Sequence, residues 1–132
     1  MYRIGIVVAV DEKTAMARVR WTDMDGEVSY WLPVMQKKTL KDKEYWLPDL
    51  NEHVVCLIDE NGEEGVILGA IYSDADATPV QNKDKYYIHF EDGTEVEYDR
   101  KQHKLRITVK GDILIEADGN MTLKASRIDL NP

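Results

Sequence analysis

The strongest constraint on this chain lies in its odd-numbered positions from 105 onward. Leu105, Ile107 and Val109 are followed by Gly111; Ile113, Ile115 and Ala117 by Gly119; Met121, Leu123 and Ala125 by Arg127. Three apolar residues and a punctuating residue thus recur with a period of eight, and the even positions from Arg106 to Ser126 are polar except Leu114. Alternation alone marks a half-buried strand. Alternation locked to a fixed period marks a stacked repeat whose straight runs turn at Gly111 and Gly119. Each run has one apolar face, and there are too few repeats for one chain to cover that face by stacking on itself. Further copies of the same chain, related by symmetry, supply the cover. The expectation is an intertwined trimeric β-helix or β-prism. Its core is Leu105, Ile107, Val109, Ile113, Ile115, Ala117, Met121, Leu123 and Ala125, its repeat turns are Gly111 and Gly119, and its even positions face water. A single-chain meander is the alternative, and it gives no reason for the matched glycines. Ile128 and Leu130 shift phase by one, which implies a bulge, a turn or the end of the regular region.

Residues 1–72 have a different grammar. Ile4, Ile6, Val8 and Val10 alternate, and after a turn at Asp11-Glu12-Lys13 so do Ala15, Ala17, Val19 and Trp21, with Arg18 and Arg20 outward. Asp23-Met24-Asp25-Gly26 is a second turn and Val28 to Val34 a third strand. Val54 to Ile58 and Gly65 to Tyr72 pair across a turn containing Asn61-Gly62, both of which tolerate positive φ. Five short strands in about 70 residues predict a small closed barrel of the OB type. Trp31-Leu32-Pro33 recurs as Trp46-Leu47-Pro48, and the lysine-rich stretch between them reads as a long excursion between strands. Each proline is expected to end or flank a strand, because it has no N–H for the ladder. Residues 73–84 are polar, include Pro79 and lack periodicity, as a linker does. Tyr86, Ile88 and Phe90, the turn Glu91-Asp92-Gly93-Thr94, then Val96 and Tyr98 predict a hairpin or bent strand pair that opens the shaft, residues 85–132.

Charge and composition narrow the chemistry. Seventeen basic against 25 acidic side chains leave a net charge of −8, and such a chain repels phosphate backbones unless its bases cluster. Its one basic run, Lys37-Lys38 with Lys41 and Lys43, is interrupted by Asp42 and Glu44 and reads as a solvated loop. The lone Cys56 excludes an internal disulfide. It sits in an apolar run, and His53, three residues away on the same strand, falls on the opposite face. No phosphate loop, zinc spacing or nucleophile elbow is present. Asp23-Met24-Asp25-Gly26-Glu27 hints at a calcium loop, but the remaining ligand spacing fails. His53, His89 and His103 are isolated from one another. No catalytic residue, cofactor or metal is expected. The absence of a basic segment followed by a long apolar run implies synthesis in a cytoplasm.

With these residues in view, the chain resembles the baseplate assembly protein V group of phage tail spikes, related to the C-terminal part of VgrG proteins. Trp31-Leu32-Pro33-Val34, the run Trp46-Leu47-Pro48-Asp49-Leu50-Asn51-Glu52-His53-Val54-Val55 and Gly65-Val66-Ile67-Leu68-Gly69-Ala70-Ile71-Tyr72 look like the family's OB-domain run. Val109-Lys110-Gly111 is similar to the opening of its β-helix octads. The family usually has glycine and an acidic residue before its V-x-V strand; here Asn51-Glu52 stand there, and Asn also tolerates the left-handed conformation. The resemblance implies a non-enzymatic structural spike, homotrimeric, at the baseplate of a phage tail or related injection particle. It implies hub proteins as partners, a small PAAR-type tip protein beyond the shaft, transient contact with a target envelope, mechanical piercing, and no nucleic acid. The shaft projects along the threefold axis. Some family members end in a His-x-His tip that binds iron, and no such motif can be carried over. Two other classes remain open. An OB-type binder of single-stranded nucleic acid would use Trp21, Trp31 and Trp46 as a stacking platform. A muralytic β protein would need a carboxylate pair roughly 5–9.5 Å apart in a cleft.

Overall fold

The computed structural model describes residues 1–23 and 26–132 and is all-β. The strands are β1 (Tyr2–Asp11), β2 (Met16–Trp21), β3 (Leu32–Pro33), β4 (His53–Ile58), β5 (Gly65–Ala70), β6 (Lys85–His89), β7 (Glu95–Asp99) and β8 (Lys104–Thr108). The chain divides into two compact units, residues 1–78 and 79–132.

In the first unit five antiparallel strands run in the order β3-β2-β1-β4-β5. A single parallel bridge from Val34 to Ile67 and a hydrogen bond from Met35 N to Ile67 O (2.9 Å) join the two outer strands, so the sheet is a nearly closed barrel of OB type. Val7, Ala17, Val19, Trp21, Leu32, Val54, Cys56, Ile58 and Ile67 fill its interior. The alternation expected for β2 is seen, with Arg18 and Arg20 outside the core, and the strand expected over the apolar run Val54 to Ile58 is present as β4.

Three expectations are corrected. On β1 the inward residues are Arg3, Gly5 and Val7, whereas Ile4 and Ile6 are half-buried outside and Val8 is exposed. Pairing decides this: Gly5 lies opposite Trp21 and Val7 opposite Val19, both core residues. A bulge between Val7 and Ala9 then shifts the phase and lets Val10 pack against the core. The third strand, expected over Val28 to Val34, is reduced to Leu32–Pro33 and an isolated bridge from Arg20 to Val28. Ser29 breaks it, because its hydroxyl, itself donating to Tyr30 O, accepts from Val19 N (3.0 Å) in place of a main-chain carbonyl. Ala15, expected in β2, instead has φ +57° in the turn, where Asp11 Oδ1 accepts from Lys13 N.

Two turns refine the picture. Of Asn61 and Gly62 only Gly62 has positive φ (+71°), because the β4–β5 loop is a longer one closed by Asp59 N to Glu64 O. Asn51 does take the left-handed conformation (φ +73°) and donates to Val7 O, carrying the β1–β4 pairing past the bulge. The turn and calcium-loop hint at Met24 and Asp25 fall outside the described residues.

The excursion between β3 and β4 is an ordered arm. Gln36 holds the Trp46 backbone at both N–H and C=O (3.1 and 3.2 Å), Glu44 N reaches Lys38 O, and Tyr45 donates to Glu12 O (2.8 Å). Thr39, Leu40, Lys41 and Asp42 form its exposed tip.

The second unit begins with a meander in the order β6-β7-β8. The hairpin expected after residue 85 is present, its turn closed by Phe90 N to Thr94 O with Gly93 at φ +92°. The expected linker, 73–84, spans the boundary between units at Thr78 and Pro79.

Gly5 permits a close strand crossing in the barrel. A Cβ there would meet Val19 Cβ and Cγ2 at 2.8 Å, so Gly5→Ala is expected to lower stability by about 1–3 kcal/mol. Val8→Thr, on the outer face, should change it by less than about 0.5 kcal/mol. Chemical denaturation of the two variants checks the assignment of faces.

Candidate functional site

The β6–β8 meander has two faces of opposite character. Cross-strand register places Tyr86, Tyr98 and Leu105 in one row and Ile88, Val96 and Ile107 in the next, all on one side. The other side carries Lys85, Asp99 and Lys104, then Tyr87, Glu97 and Arg106, then His89, Glu95 and Thr108. This second side neutralises itself. Lys85 Nζ lies 3.0 Å from Glu97, Arg106 reaches both Glu97 (3.5 Å) and Glu95 (3.9 Å), and Tyr87 donates to Glu95 (2.7 Å). That last hydrogen bond and the nearby carboxylates push the Tyr87 phenol above its ordinary value. The β7–β8 turn is held by Asp99, whose Oδ1 accepts from Lys101 N and Gln102 N, with His103 left-handed (φ +55°). These backbone donors hold the Asp99 carboxyl below its usual range.

The apolar side has no such satisfaction. Tyr86, Tyr98, Leu105 and Ile107 are 67, 42, 61 and 58% exposed. Six apolar residues in two cross-strand rows are a contiguous patch, unlike singly scattered surface hydrophobes, and such patches mark interaction sites.

The face continues into the octads. Beyond β8 the backbone bends at Lys110-Gly111, at Asp118-Gly119 and at Ser126, eight residues apart, and runs unpaired through 112–117 and 120–125. A further bend at Leu130 breaks the period where the apolar phase shifts. Ile113, Ile115, Met121 and Leu123 are all exposed, with Ala117 and Ala125, while Val109 is half-buried. Among the described residues, 111–126 make no hydrogen bond or ion pair. Gly111 and Gly119 have neither positive φ nor any atom within 4 Å of an added Cβ, so nothing inside one chain requires glycine there.

Other candidate groups are dispersed. Trp21 is buried in the barrel beneath Arg3, whose guanidinium stacks 4.3 Å from the ring centroid and pairs with Asp23 at 2.9 Å, holding that carboxyl below its usual range. Trp31 lies 5.9 Å from the Arg18 guanidinium and Trp46 is on the arm, so the three indoles form no common platform. Burial pushes the Cys56 thiol up to about 11. His53 is on the outer face of β4, with Nδ1 3.7 Å from Asp76. Among the described residues no cluster of His, Cys, Asp or Glu has the geometry to hold a metal.

Residues 3–72, the barrel, match the family model described as the type VI secretion system/phage-baseplate injector OB domain. The chain belongs to this family. A curated relative, the spike protein of Escherichia phage P2, is 26% identical over 123 residues, covering 92% of this chain and 57% of the relative. The chain therefore spans little more than half the length of that protein. In this injector OB domain the barrel encloses a packed core, and the uncovered apolar surface of the second unit lies outside the matched region. Sequence periodicity pointed to the odd positions of the octads; Tyr86, Ile88, Val96 and Tyr98 became part of the same face only through the β6–β7–β8 register.

A pH dependence follows from Asp99. Its lowered pKa stabilises the fold above the ordinary carboxylate value of about 3.9, and this contribution is lost as pH falls through the native value. In an NMR acid titration the Lys101 and Gln102 amide resonances should move together below about pH 4, and Asp99→Asn should abolish that step.

Proposed function

We propose that the protein is a structural spike component of a phage tail baseplate or related injection system, acting as a homotrimer. The observation that carries this reading is the apolar face of the β6–β8 sheet, continuous in phase with the odd positions of the octads and without cover in its own chain. Three copies meeting on that face bury Leu105, Ile107, Val109, Ile113, Ile115, Ala117, Met121, Leu123 and Ala125 around one axis. Tyr86, Ile88, Val96 and Tyr98 extend the core into the sheet. The unpaired backbone of 112–117 and 120–125 then finds partners in neighbouring chains, which meets the requirement that buried N–H and C=O groups be hydrogen-bonded. The charged face of the sheet remains in water. Membership of the injector OB domain family and similarity to the phage P2 spike protein support this reading.

The mechanism is mechanical. A dry core and dense interchain hydrogen bonding make a stiff shaft that transmits force to an envelope, and no side chain does chemistry. Hub proteins at the barrel and a PAAR-type tip protein beyond the shaft complete the proposed assembly, with the tail baseplate or injection particle as its location. A nucleic-acid-binding role finds no support in the dispersed indoles and the acidic surface.

Light scattering should return a mass near three chains. Ile115→Asp should abolish assembly, since three unpaired buried charges near one axis cost several kcal/mol each, while Lys110→Asp, on the water-facing phase, should leave it intact. A stable monomer at micromolar concentration, or equal tolerance of both changes, would refute the trimeric core.

A further inference from the structure

The arm between β3 and β4 is a basic element of an acidic chain. Lys37, Lys38, Lys41 and Lys43 stand against Asp42 and Glu44 in residues 34–48, a local charge of +2 within a total of −8. Leu40, at the tip, is 81% exposed between lysines. The cross-arm hydrogen bonds at Gln36–Trp46 and Lys38–Glu44 hold the tip in place, so docking it costs less ordering entropy than docking a floppy loop.

The same barrel carries a groove of complementary chemistry. About 570 Å³ in volume, it has Met1, Val28 and Tyr30 among its walls and Asp59, Glu60 and Glu63 of the β4–β5 turn along its rim. Met1, Val28 and Tyr30 are all exposed. The turn is preorganised, because Asp59 Oδ1 accepts from Glu63 N at 2.9 Å and Asp59 N bonds Glu64 O. The two arginines in the groove are already engaged, Arg3 with Asp23 and Arg18 with the Ser29 carbonyl, each at 2.9 Å. Among the described residues none of the arm lysines and none of the three rim carboxylates forms an ion pair, whereas Lys85, Glu95, Glu97 and Arg106 of the β6–β8 sheet do.

The arm is anchored away from that groove. Tyr45 bonds Glu12, just past one end of β1, while the β4–β5 turn lies at the other, where Ile58 N bonds Met1 O. β1 has ten residues and spans about 30 Å.

We propose that the arm of one protomer seats Leu40 in the groove of a neighbouring copy, with its lysines against Asp59, Glu60 and Glu63. This rests on the trimeric reading above. In a ring of three such a contact is heterologous and closes on itself, so every arm and every groove is used. It adds a second interface, charged at its rim, to the apolar one in the shaft. Complementary rim charges set register and partner choice, so the arm would align the barrels around the axis.

The test is a Leu40→Cys/Asn61→Cys double variant of the full chain, which keeps all the arm and rim charges. It is treated with a short bismaleimide, with both single variants as controls; the buried Cys56 serves as an internal blank. Expected are denaturation-resistant species of two and three chains in the double variant alone. Lys38→Glu/Lys41→Glu/Lys43→Glu on that background should cut the cross-linked yield about tenfold, and adding Glu60→Lys/Glu63→Lys should restore it. A trimeric mass with no interchain product, or with equal product in a single variant, overturns the arm contact and leaves the trimer standing. A monomeric mass overturns both, and so does an intrachain product from a monomer.

Discussion

The barrel hangs on β1, which pairs with β2 along one edge and β4 along the other, and it can do so only where Gly5 leaves room for Val19. A side chain at that crossing would push β2 away from the core. With Gly5 inward, Arg3 and Val7 must point inward too, and Arg3 becomes the plug of the barrel end, stacked on Trp21 and paired with Asp23. The same phase sends Ile4, Ile6 and Val8 outward, beside Val55 and Leu57 of β4. The outside of the barrel thereby acquires an apolar strip of its own, with Tyr2 at its end.

Which parts of this were legible in the residues follows from how many constraints each segment obeys. β2 presents one apolar face, so alternation identified both the strand and its inward side, whereas β4 is apolar on both faces and its run identified the strand alone. β1 is apolar at even positions and carries Arg3, Gly5 and Val7 at odd ones; alternation chose the even face, and only the cross-strand partners Trp21 and Val19 reverse it. The strand expected from Val28 failed at Ser29 because a hydroxyl accepted a ladder hydrogen bond, a substitution that hydropathy does not register. Asn51 was readable as a left-handed residue from its chemistry and its place before a strand. The eight-residue spacing of the bends at Lys110-Gly111, Asp118-Gly119 and Ser126 was readable because a period needs no tertiary information. The sheet face was not, since Tyr86 and Tyr98 join Leu105 only through register between strands.

The second unit shows how a thin sheet manages two solvents. Its polar side carries rows in which opposite charges lie directly across from one another, each worth a fraction of a kcal/mol, and Glu97 sits between Lys85 and Arg106. This side needs nothing further. On the apolar side Ile88 and Val96 are half-buried, while Tyr86, Tyr98, Leu105 and Ile107 stand exposed. In the proposed trimer this sheet would be one wall, with its apolar side inward and its charged side outward.

Among the described residues, 111–126 make no hydrogen bond within their own chain, and that bears on timing as much as on architecture. In the proposed trimer such a segment cannot fold at a rate set by its own length; it waits for encounter with other copies. The barrel, whose core residues all belong to the first unit, could then be finished while the tail is still extended, making synthesis of the first unit and completion of the tail separate kinetic events. On the trimeric reading the second depends on how many chains share a volume. Dilution, or translation from sparse messages, would lengthen the interval in which a row of isoleucines and leucines stands in water beside open strand edges, the state most vulnerable to proteases and to mispairing.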